Sequence, residues 1–162
     1  MKQEYPKVLL LSIKPQYVQK ILDGQKNIEL RKTRPKLKKG DFILVYESSP
    51  TKCLRGWFKV QSISCKDPQK LWHKVQDNVG ITKAEFDDYY KKSKVAVAIA
   101  MKSVYSTKLS LQEVRETWES FKPPQNFYYL KKEEIILAEK IIGFDIIDKS
   151  ANLQLTIPSV KH

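Results

Sequence analysis

The spacing of apolar residues changes twice between residues 7 and 32, and this change restricts the fold more than any other feature of the chain. Residues 7–13 (KVLLLSI) form an apolar run of strand length. Pro15 supplies the fixed φ of a first helical turn, and apolar residues then recur at helical spacing until Gly24. From Lys26 the period becomes two, which is typical of a strand. The chain therefore begins with a strand, a helix and a second strand.

Further strands are predicted in the middle of the chain. Residues 41–49 and 53–64 read as two strands, and because the turn between them is short we expect them to pair antiparallel. Gly56 indicates a bulge or a close backbone approach that bends the second of these strands. Residues 94–104 alternate bulky and small apolar residues, which predicts a central strand with one face open to close packing.

Helix-capping signals place the remaining helices. Asp67 and Pro68 open a helix that ends at Gly80, and capping boxes open two more, at Thr82–Glu85 and Ser110–Glu113. The first two of these helices form an insertion between strands. Beyond them we assign residues 123–130 to an irregular segment, residues 131–142 to a helix and residues 144–148 to a short strand, although the apolar pairs near the end suit helix or strand.

The length of 162 residues suits one α+β domain with a single core. We predict the domain at residues 1–130, with residues 131–162 as a C-terminal extension packed on the same domain. No apolar run reaches the length of a signal peptide or a membrane span, which predicts an intracellular, cytoplasmic protein with no membrane partner.

The sequence offers little for metal or cofactor chemistry. Cys53 and Cys65 have no zinc-ligand spacing, so we expect reduced packing residues and no metal site. Glycine-rich phosphate-binding patterns do not occur, and we expect no cofactor.

Positive charge is concentrated in the first part of the chain. Residues 1–66 hold 15 Lys and Arg against 5 Asp and Glu, which accounts for +10 of the net charge of +12. A field this localised attracts polyanions, of which nucleic acids are the commonest. The alternative is that the charge only keeps the protein soluble.

Lys26, Glu29 and Arg31 lie within six positions of each other on the second strand. A carboxylate accepts hydrogen bonds from the exocyclic amine of a base, and neighbouring cations hold its charge and reach phosphate. The alternative is an exposed pair of charges that contributes little. If Glu29 faces a cleft, we expect Glu29→Ala to lose base selectivity at little cost in stability.

A basic loop at residues 32–39 follows that strand. We expect it to track a phosphate backbone, while Tyr46, Trp57, Tyr128 or Tyr129 offers a base a stacking face. The alternatives are a solvated loop and, for tryptophan above all, a packing role in the core.

The same segments resemble the ASCH domain, a small β-barrel of the PUA-like superfamily. The resemblance rests on Ser12, Lys14 and Pro15, on the G-x-K-x-x-E-x-R pattern from Gly24 to Arg31, on Tyr46 and Ser48–Pro50, and on the segment PPQNFYYL from Pro123 to Leu130. It implies a twisted barrel of about five or six strands with helices packed outside, two of them inserted, and a C-terminal helical extension. It also implies a cleft, with Lys14, Lys26 and Glu29 at its mouth, of the kind in which related domains hold a base.

The resemblance leaves three kinds of function open. The leading hypothesis is a binding module for single-stranded RNA or a nucleotide that reads a plain or modified base and has a regulatory role. The second is an enzyme with Lys26 and Glu29 as catalytic candidates. Some ASCH proteins are amidohydrolases that deacylate a modified cytidine, and others are proposed ribonucleases. Glu29 occupies the position of the amidohydrolase threonine, so a hydroxyl from Ser12, Thr33 or Ser48 would have to substitute. The third is a protein-interaction scaffold.

We predict a single set of nucleic-acid-binding residues from these arguments. Its members are Ser12, Lys14, Lys26, Glu29, Arg31, Lys32, Arg34, Lys36, Ser48, Gln125 and Tyr129.

Overall fold

A computed structural model describes residues 6–146 of the chain. Within that range the strands are β1 (Val8–Ile13), β2 (Ile28–Arg31), β3 (Phe42–Glu47), β4 (Cys53–Lys66), β5 (Ala96–Ser110) and β6 (Phe127–Tyr129). The helices are α1 (Pro15–Leu22), α2 (Pro68–Val75), α3 (Lys83–Tyr90), α4 (Leu111–Thr117) and α5 (Lys132–Ile142). Both predicted capping boxes are confirmed, at the starts of α3 and α4.

The strands form one mixed sheet in the order β2-β5-β4-β3-β1-β6. β3 and β4 pair antiparallel as predicted, whereas β1 lies parallel to β3. The bulge at Gly56 is also confirmed. Gly56 has a φ of 125°, and a Cβ there would lie 2.0 Å from the Tyr105 carbonyl oxygen, so a side chain has no room. The bulges bend the long β4 and β5, and the sheet curls into a half-barrel with β2 and β6 as its edges.

The two faces of the sheet carry separate apolar clusters. Leu10 and Leu44 point to the face covered by α4 and α5, whereas Leu9 and Ile43 point to the face covered by α1. Because β1 is buried on both faces, its sequence is continuously apolar instead of alternating. Ile135 of α5 packs into the first cluster. The division of the chain at residue 130 stays a prediction.

The inserted helices α2 and α3 pack beside β2 and the start of β5. Phe86 and Tyr90 of α3 lie in one buried cluster with Leu30, Ala96 and Ala98. The prediction that small residues on β5 admit close packing is therefore confirmed.

Three local expectations were wrong. The helix opened at Asp67 ends at Val75, before Gly80. Residues 127–129 are an edge strand because their backbone pairs with β1, which a local pattern does not reveal. Residues 144–146 contain no strand, and Ile146 is buried in the cluster covered by α4 and α5. The rest of the expected strand lies outside the described residues.

One of the two cysteines and the basic loop at residues 32–39 also differ from expectation. Cys53 is buried as predicted, but Cys65 is exposed. The basic loop is anchored, because Pro35 and Leu37 are buried between its exposed charged residues. Between residues 6 and 146, no helix is both long and apolar enough to cross a bilayer.

Candidate functional site

The two edge strands of the half-barrel, β2 and β6, are not paired with each other, and we call the gap between them the seam. A cavity of about 350 Å³ lies where this seam meets α1 and α3. This volume is within the range of small-molecule sites. The lining residues come from the end of β1, from α1, from β2 with its preceding loop, from α3 with its preceding loop, and from the loops that follow β3 and precede β6. They are Ser12, Ile13, Lys14, Tyr17, Lys26, Glu29, Leu30, Arg31, Ser48, Ile81, Glu85, Tyr89 and Gln125. We call this space the seam cavity.

The carboxylate of Glu29 is buried and is held by two cations. Its Oε2 atom lies 2.8 Å from an Arg31 terminal nitrogen and also accepts from Arg31 Nε at 3.1 Å. Its Oε1 atom lies 3.5 Å from Lys26 Nζ. A carboxylate has about four acceptor positions, so one on Oε1 remains for a ligand. This arrangement favours a large cost in stability for Glu29→Ala, in place of the small cost expected from the sequence, because the change would leave two cations without their anion.

The ammonium group of Lys26 is fully engaged by the protein. Besides contacting Glu29, it donates to the Ile28 carbonyl and to the Val79 carbonyl at 3.2 Å. Burial lowers the pKa of Lys26, and the attraction of Glu29 opposes this effect without cancelling it. Because its three donors already have three acceptors, Lys26 acts here by positioning Glu29.

The guanidinium of Arg31 crosses the seam between the two edges of the sheet. Arg31 belongs to edge strand β2, yet it donates to the Ser12 carbonyl on β1 at 2.7 Å and to Asn126 Oδ1, just before β6, at 2.5 Å. Its fork geometry allows it to hold these groups and Glu29 together. Arg31 therefore joins the two edges and fixes the carboxylate.

The groups that remain for a ligand are at the rim and walls of the seam cavity. Lys14 and the Gln125 amide are exposed, and the Ser12 and Ser48 hydroxyls are half-buried. The rings of Tyr17 and Tyr89 provide aromatic wall, and 38% of Tyr89 is exposed. Burial raises the pKa of Tyr89, so its hydroxyl keeps its proton at neutral pH.

The structure brings most of the predicted binding residues together. Seven of them line the seam cavity: Ser12, Lys14, Lys26, Glu29, Arg31, Ser48 and Gln125. Lys32 lies at its edge, with its Nζ 4.7 Å from the Tyr89 ring centre. Arg34, Lys36 and Tyr129 do not line this cavity and are found instead around two other hollows. Of the three hydroxyls named as catalytic substitutes, those of Ser12 and Ser48 line the cavity, whereas that of Thr33 does not.

Two proposed stacking residues are misplaced, and one wall of the cavity was missed. Tyr46 is 3% exposed and Trp57 is 0% exposed, so neither can meet a base. Their strands bury both faces, which the alternating pattern does not reveal. The missed wall comes from Ile81, Glu85 and Tyr89. The sequence predicts helix α3 but carries no signal for where that helix docks.

Comparison with known proteins identifies the family. The family model described as ASCH domain matches residues 11–147. The chain belongs to the ASCH domain family. An ASCH domain-containing ribonuclease of Zymomonas mobilis is 25% identical over 129 residues, which cover 79% of this chain and 87% of that protein. The large ribosomal subunit protein uL22 of Ureaplasma parvum is 32% identical over 132 residues, but this chain spans only 41% of its length.

Solved structures support the architecture. The crystal structure of ASCH from Zymomonas mobilis superposes with a TM-score of 0.75 at 24% identity, covering 83% of this chain and 94% of the other. A hypothetical protein from Leishmania major has a TM-score of 0.54 at 14% identity, covering 85% and 95%. The predicted PUA-like α+β fold of about five or six strands is confirmed, and its six strands form a curled half-barrel.

Proposed function

We propose that this ASCH domain binds single-stranded RNA or a nucleotide and holds one base in the seam cavity. The observation that carries the proposal is the environment of the Glu29 carboxylate. This group is buried, is fixed by Lys26 and Arg31, and has one acceptor position left in a cavity of nucleotide size. Because the carboxylate is already oriented, a ligand can hydrogen-bond to it without an entropy cost for ordering the glutamate side chain.

Each part of a nucleotide has a matching group. The exocyclic amine or ring N–H of a base donates to Glu29 Oε1, and the base edge reaches the Gln125 amide. The exposed face of Tyr89 offers stacking, which contributes about 1–3 kcal/mol per base. Lys14 at the rim and Lys32 beside Tyr89 attract the phosphate. This assignment retains the predicted site residues around Glu29 and adds Tyr89.

Two further observations support RNA as the ligand class. The positive charge is concentrated in residues 1–66, which supply β1, β2 and the basic loop. Relatives of this chain are named as a ribonuclease and as a large ribosomal subunit protein. Both observations favour a polyanionic ligand over a neutral metabolite.

Fluorescence anisotropy of a labelled single-stranded RNA tests the proposal. We expect log affinity to fall linearly with log salt, with a slope of roughly 0.7 per neutralised phosphate. Tyr89→Ala should weaken binding roughly 5- to 150-fold through lost stacking. Tyr105→Ala is the matched control, because Tyr105 is also 38% exposed but does not line the seam cavity. Equal affinities for the two variants, or no binding at low salt, would reject the proposal.

Cleavage of RNA is a second candidate, favoured by the ribonuclease-named relative. In such a reaction the ribose 2′-oxygen bonds to the adjacent phosphorus, the bond from phosphorus to the 5′-oxygen breaks, and a cyclic phosphate forms. Glu29 would take the 2′-hydroxyl proton, Lys14 would stabilise the phosphate charge, and the 5′-oxygen would leave with a proton from water. Cyclic-phosphate ends from wild type but not from Glu29→Gln would support this reaction. Intact RNA after prolonged incubation at micromolar protein would exclude it.

The amidohydrolase alternative has less structural support. It needs a hydroxyl nucleophile and a lysine that can act as its base. Glu29 stands where the hydroxyl would be, and the Lys26 donors are already engaged by Ile28, Val79 and Glu29. Incubation with N4-acetylcytidine, followed by ultraviolet absorbance, tests this alternative directly, and turnover would restore it.

A further inference from the structure

A second cavity of about 460 Å³ lies at the opposite end of β1 from the seam cavity. Its floor is apolar and its edge is basic. The lining residues are Pro6, Lys7, Val8, Lys36, Tyr129, Leu130, Lys132 and Ile135. Among the described residues no acidic side chain lines it. This cavity is separate from the seam cavity, because the two share no lining residue.

Tyr129 presents a fixed aromatic ring at this cavity. Its hydroxyl accepts a hydrogen bond from the Lys36 backbone N–H at 2.6 Å, and its ring meets that of Phe127 edge-on at 6.1 Å between centres. Nevertheless 39% of the residue is exposed. A ring held in one orientation with an open face is the feature on which single-stranded bases stack.

A row of basic residues connects the two cavities. Arg34, Lys36 and Lys38 are exposed, whereas the intervening Pro35 and Leu37 are buried, so the charges stand on one side of an anchored segment. The buried carboxylate of Asp41 fixes this segment, accepting from the Lys38 backbone N–H at 2.9 Å and from that of Lys7 at 3.0 Å.

A small hollow continues the row towards the second cavity and shares Lys7 and Lys36 with it. At the other end, Arg34 follows Arg31 of the seam by three residues, so their Cα atoms are at most about 11 Å apart.

The distance between the cavities sets the size of the ligand. Lys7 immediately precedes β1 and Ser12 is its last residue but one, and five residues of strand extend about 17 Å. A single nucleotide does not reach from one cavity to the other, whereas a short oligonucleotide does. A fixed ring, an apolar floor and a basic edge match a base, a ribose and a phosphate respectively.

We infer that the second cavity is a subsite for a further nucleotide of the same strand, so that the ligand of this domain is a single-stranded oligonucleotide. This inference rests on the proposed function, because it takes the seam cavity as the first subsite. Its occupant is RNA because the cavity combines an open stacking face with several cations. An acidic peptide would contact the lysines but would not stack on the Tyr129 ring.

Affinity as a function of RNA length provides the first test. For wild type we expect affinity to rise from a mononucleotide to an octanucleotide. Tyr129→Ala should weaken octanucleotide binding roughly 5- to 150-fold and leave mononucleotide binding unchanged. Tyr129→Phe should retain most of the affinity, because it keeps the ring. Tyr105→Ala, which removes an equally exposed ring outside both cavities, should bind both ligands like wild type.

The outcomes separate the two proposals. If Tyr129→Ala binds the octanucleotide as wild type does, the second subsite is overturned while the seam proposal stands. If wild type binds neither ligand, both are overturned. Because Tyr129 is at the surface, the variant should fold, and its Tm confirms this.

Cross-linking provides a direct second test. An octanucleotide carrying 5-iodouridine at each position in turn should cross-link to Tyr129 from one position and to Tyr17 or Tyr89 from another. Cross-links confined to the seam tyrosines would overturn the inference. Loss of the Tyr129 cross-link on adding a poly-glutamate peptide at equal charge concentration would overturn RNA as the occupant.

Discussion

Two buried glutamate–arginine pairs in this sheet have almost the same geometry but different surroundings. Glu29 and Arg31 are 2.8 Å apart with 8% and 14% of their side chains exposed, and Glu47 and Arg55 are 2.6 Å apart with 7% and 15% exposed. The second pair is completed by the Thr107 carbonyl on β5, which accepts from Arg55 Nε at 3.1 Å. The first pair includes Lys26 and borders the seam cavity.

The comparison shows that burial and charge pairing do not by themselves identify a functional site. The Glu47–Arg55 pair joins neighbouring strands within the continuous part of the sheet, where hydrogen bonding between strands is already extensive. The Glu29–Arg31 pair stands at an open edge, where Arg31 replaces missing strand pairing and Glu29 keeps an acceptor position beside a cavity. Access to a cavity therefore distinguishes the two pairs.

The largest expected effect is on stability when either glutamate is removed. Glu29→Ala leaves Lys26 and Arg31 without their anion, and breaking such a buried pair costs about 3–5 kcal/mol. Glu47→Ala leaves only Arg55, which keeps the Thr107 carbonyl, so we expect a smaller loss. Urea unfolding of both variants measures the difference. A Glu29→Ala protein as stable as wild type would show that the three charges do not interact as described.

The arginines should differ when each is replaced by lysine. Lysine keeps the charge but loses the planar fork. Arg31→Lys gives up contacts to Ser12 and Asn126 across the seam, and we expect a loss of about 1–3 kcal/mol in the free energy of unfolding. Arg55→Lys gives up one carbonyl contact and should lose less. Urea unfolding measures the free energy of unfolding of both variants. A larger loss of stability in Arg55→Lys than in Arg31→Lys would contradict the role of Arg31 as the link across the seam.

Lys26 gives the first pair a pH dependence. Burial lowers its folded pKa below the ordinary value of 10.5, so between these two values the unfolded chain binds more protons and wild-type stability rises with pH. Lys26→Met lacks the group that causes this rise. The free energy of unfolding of wild type minus that of Lys26→Met should therefore increase as pH approaches 10.5. The contributions of the other titrating groups are common to both proteins and cancel in this difference. Urea unfolding at several alkaline pH values tests this, and a constant difference would contradict the lowered pKa.

The smallest expected effect concerns charge at the rim. Lys14→Gln should weaken RNA binding less than tenfold and lower the salt slope by less than 1, because it removes one phosphate contact. Lys108→Gln is the control, since Lys108 is exposed beside the Thr107 carbonyl of the second pair and does not line the seam cavity. Anisotropy titrations at several salt concentrations compare the two. Equal changes in slope would indicate a general effect of net charge.

Much of the fold was predictable because local rules decide it. The change of period around Pro15 and Gly24, the two capping boxes and the bulge at Gly56 all predict the structure correctly. The pairing of β6 with β1 was not predictable, because it depends on residues far apart in sequence.

The candidate site was predicted less evenly. The residues around Glu29 were found because they are close together in sequence and share one strand face. Tyr89 was missed, since it reaches the cavity only through the docking of α3. Tyr46 and Trp57 were misplaced, because a strand buried on both faces resembles a half-buried one over a few residues.

The most direct test of the account compares Glu29→Gln with Glu47→Gln in RNA binding. Both changes neutralise a buried carboxylate at nearly constant shape, and titrations are made well below the Tm of each variant. Losing a hydrogen bond to a charged group costs about 1.5–3 kcal/mol, so Glu29→Gln should bind roughly 10- to 150-fold more weakly and discriminate less among bases. Glu47→Gln should bind like wild type. Equal affinities of the two variants, or unchanged base selectivity in Glu29→Gln, would contradict a base-reading role for the seam cavity.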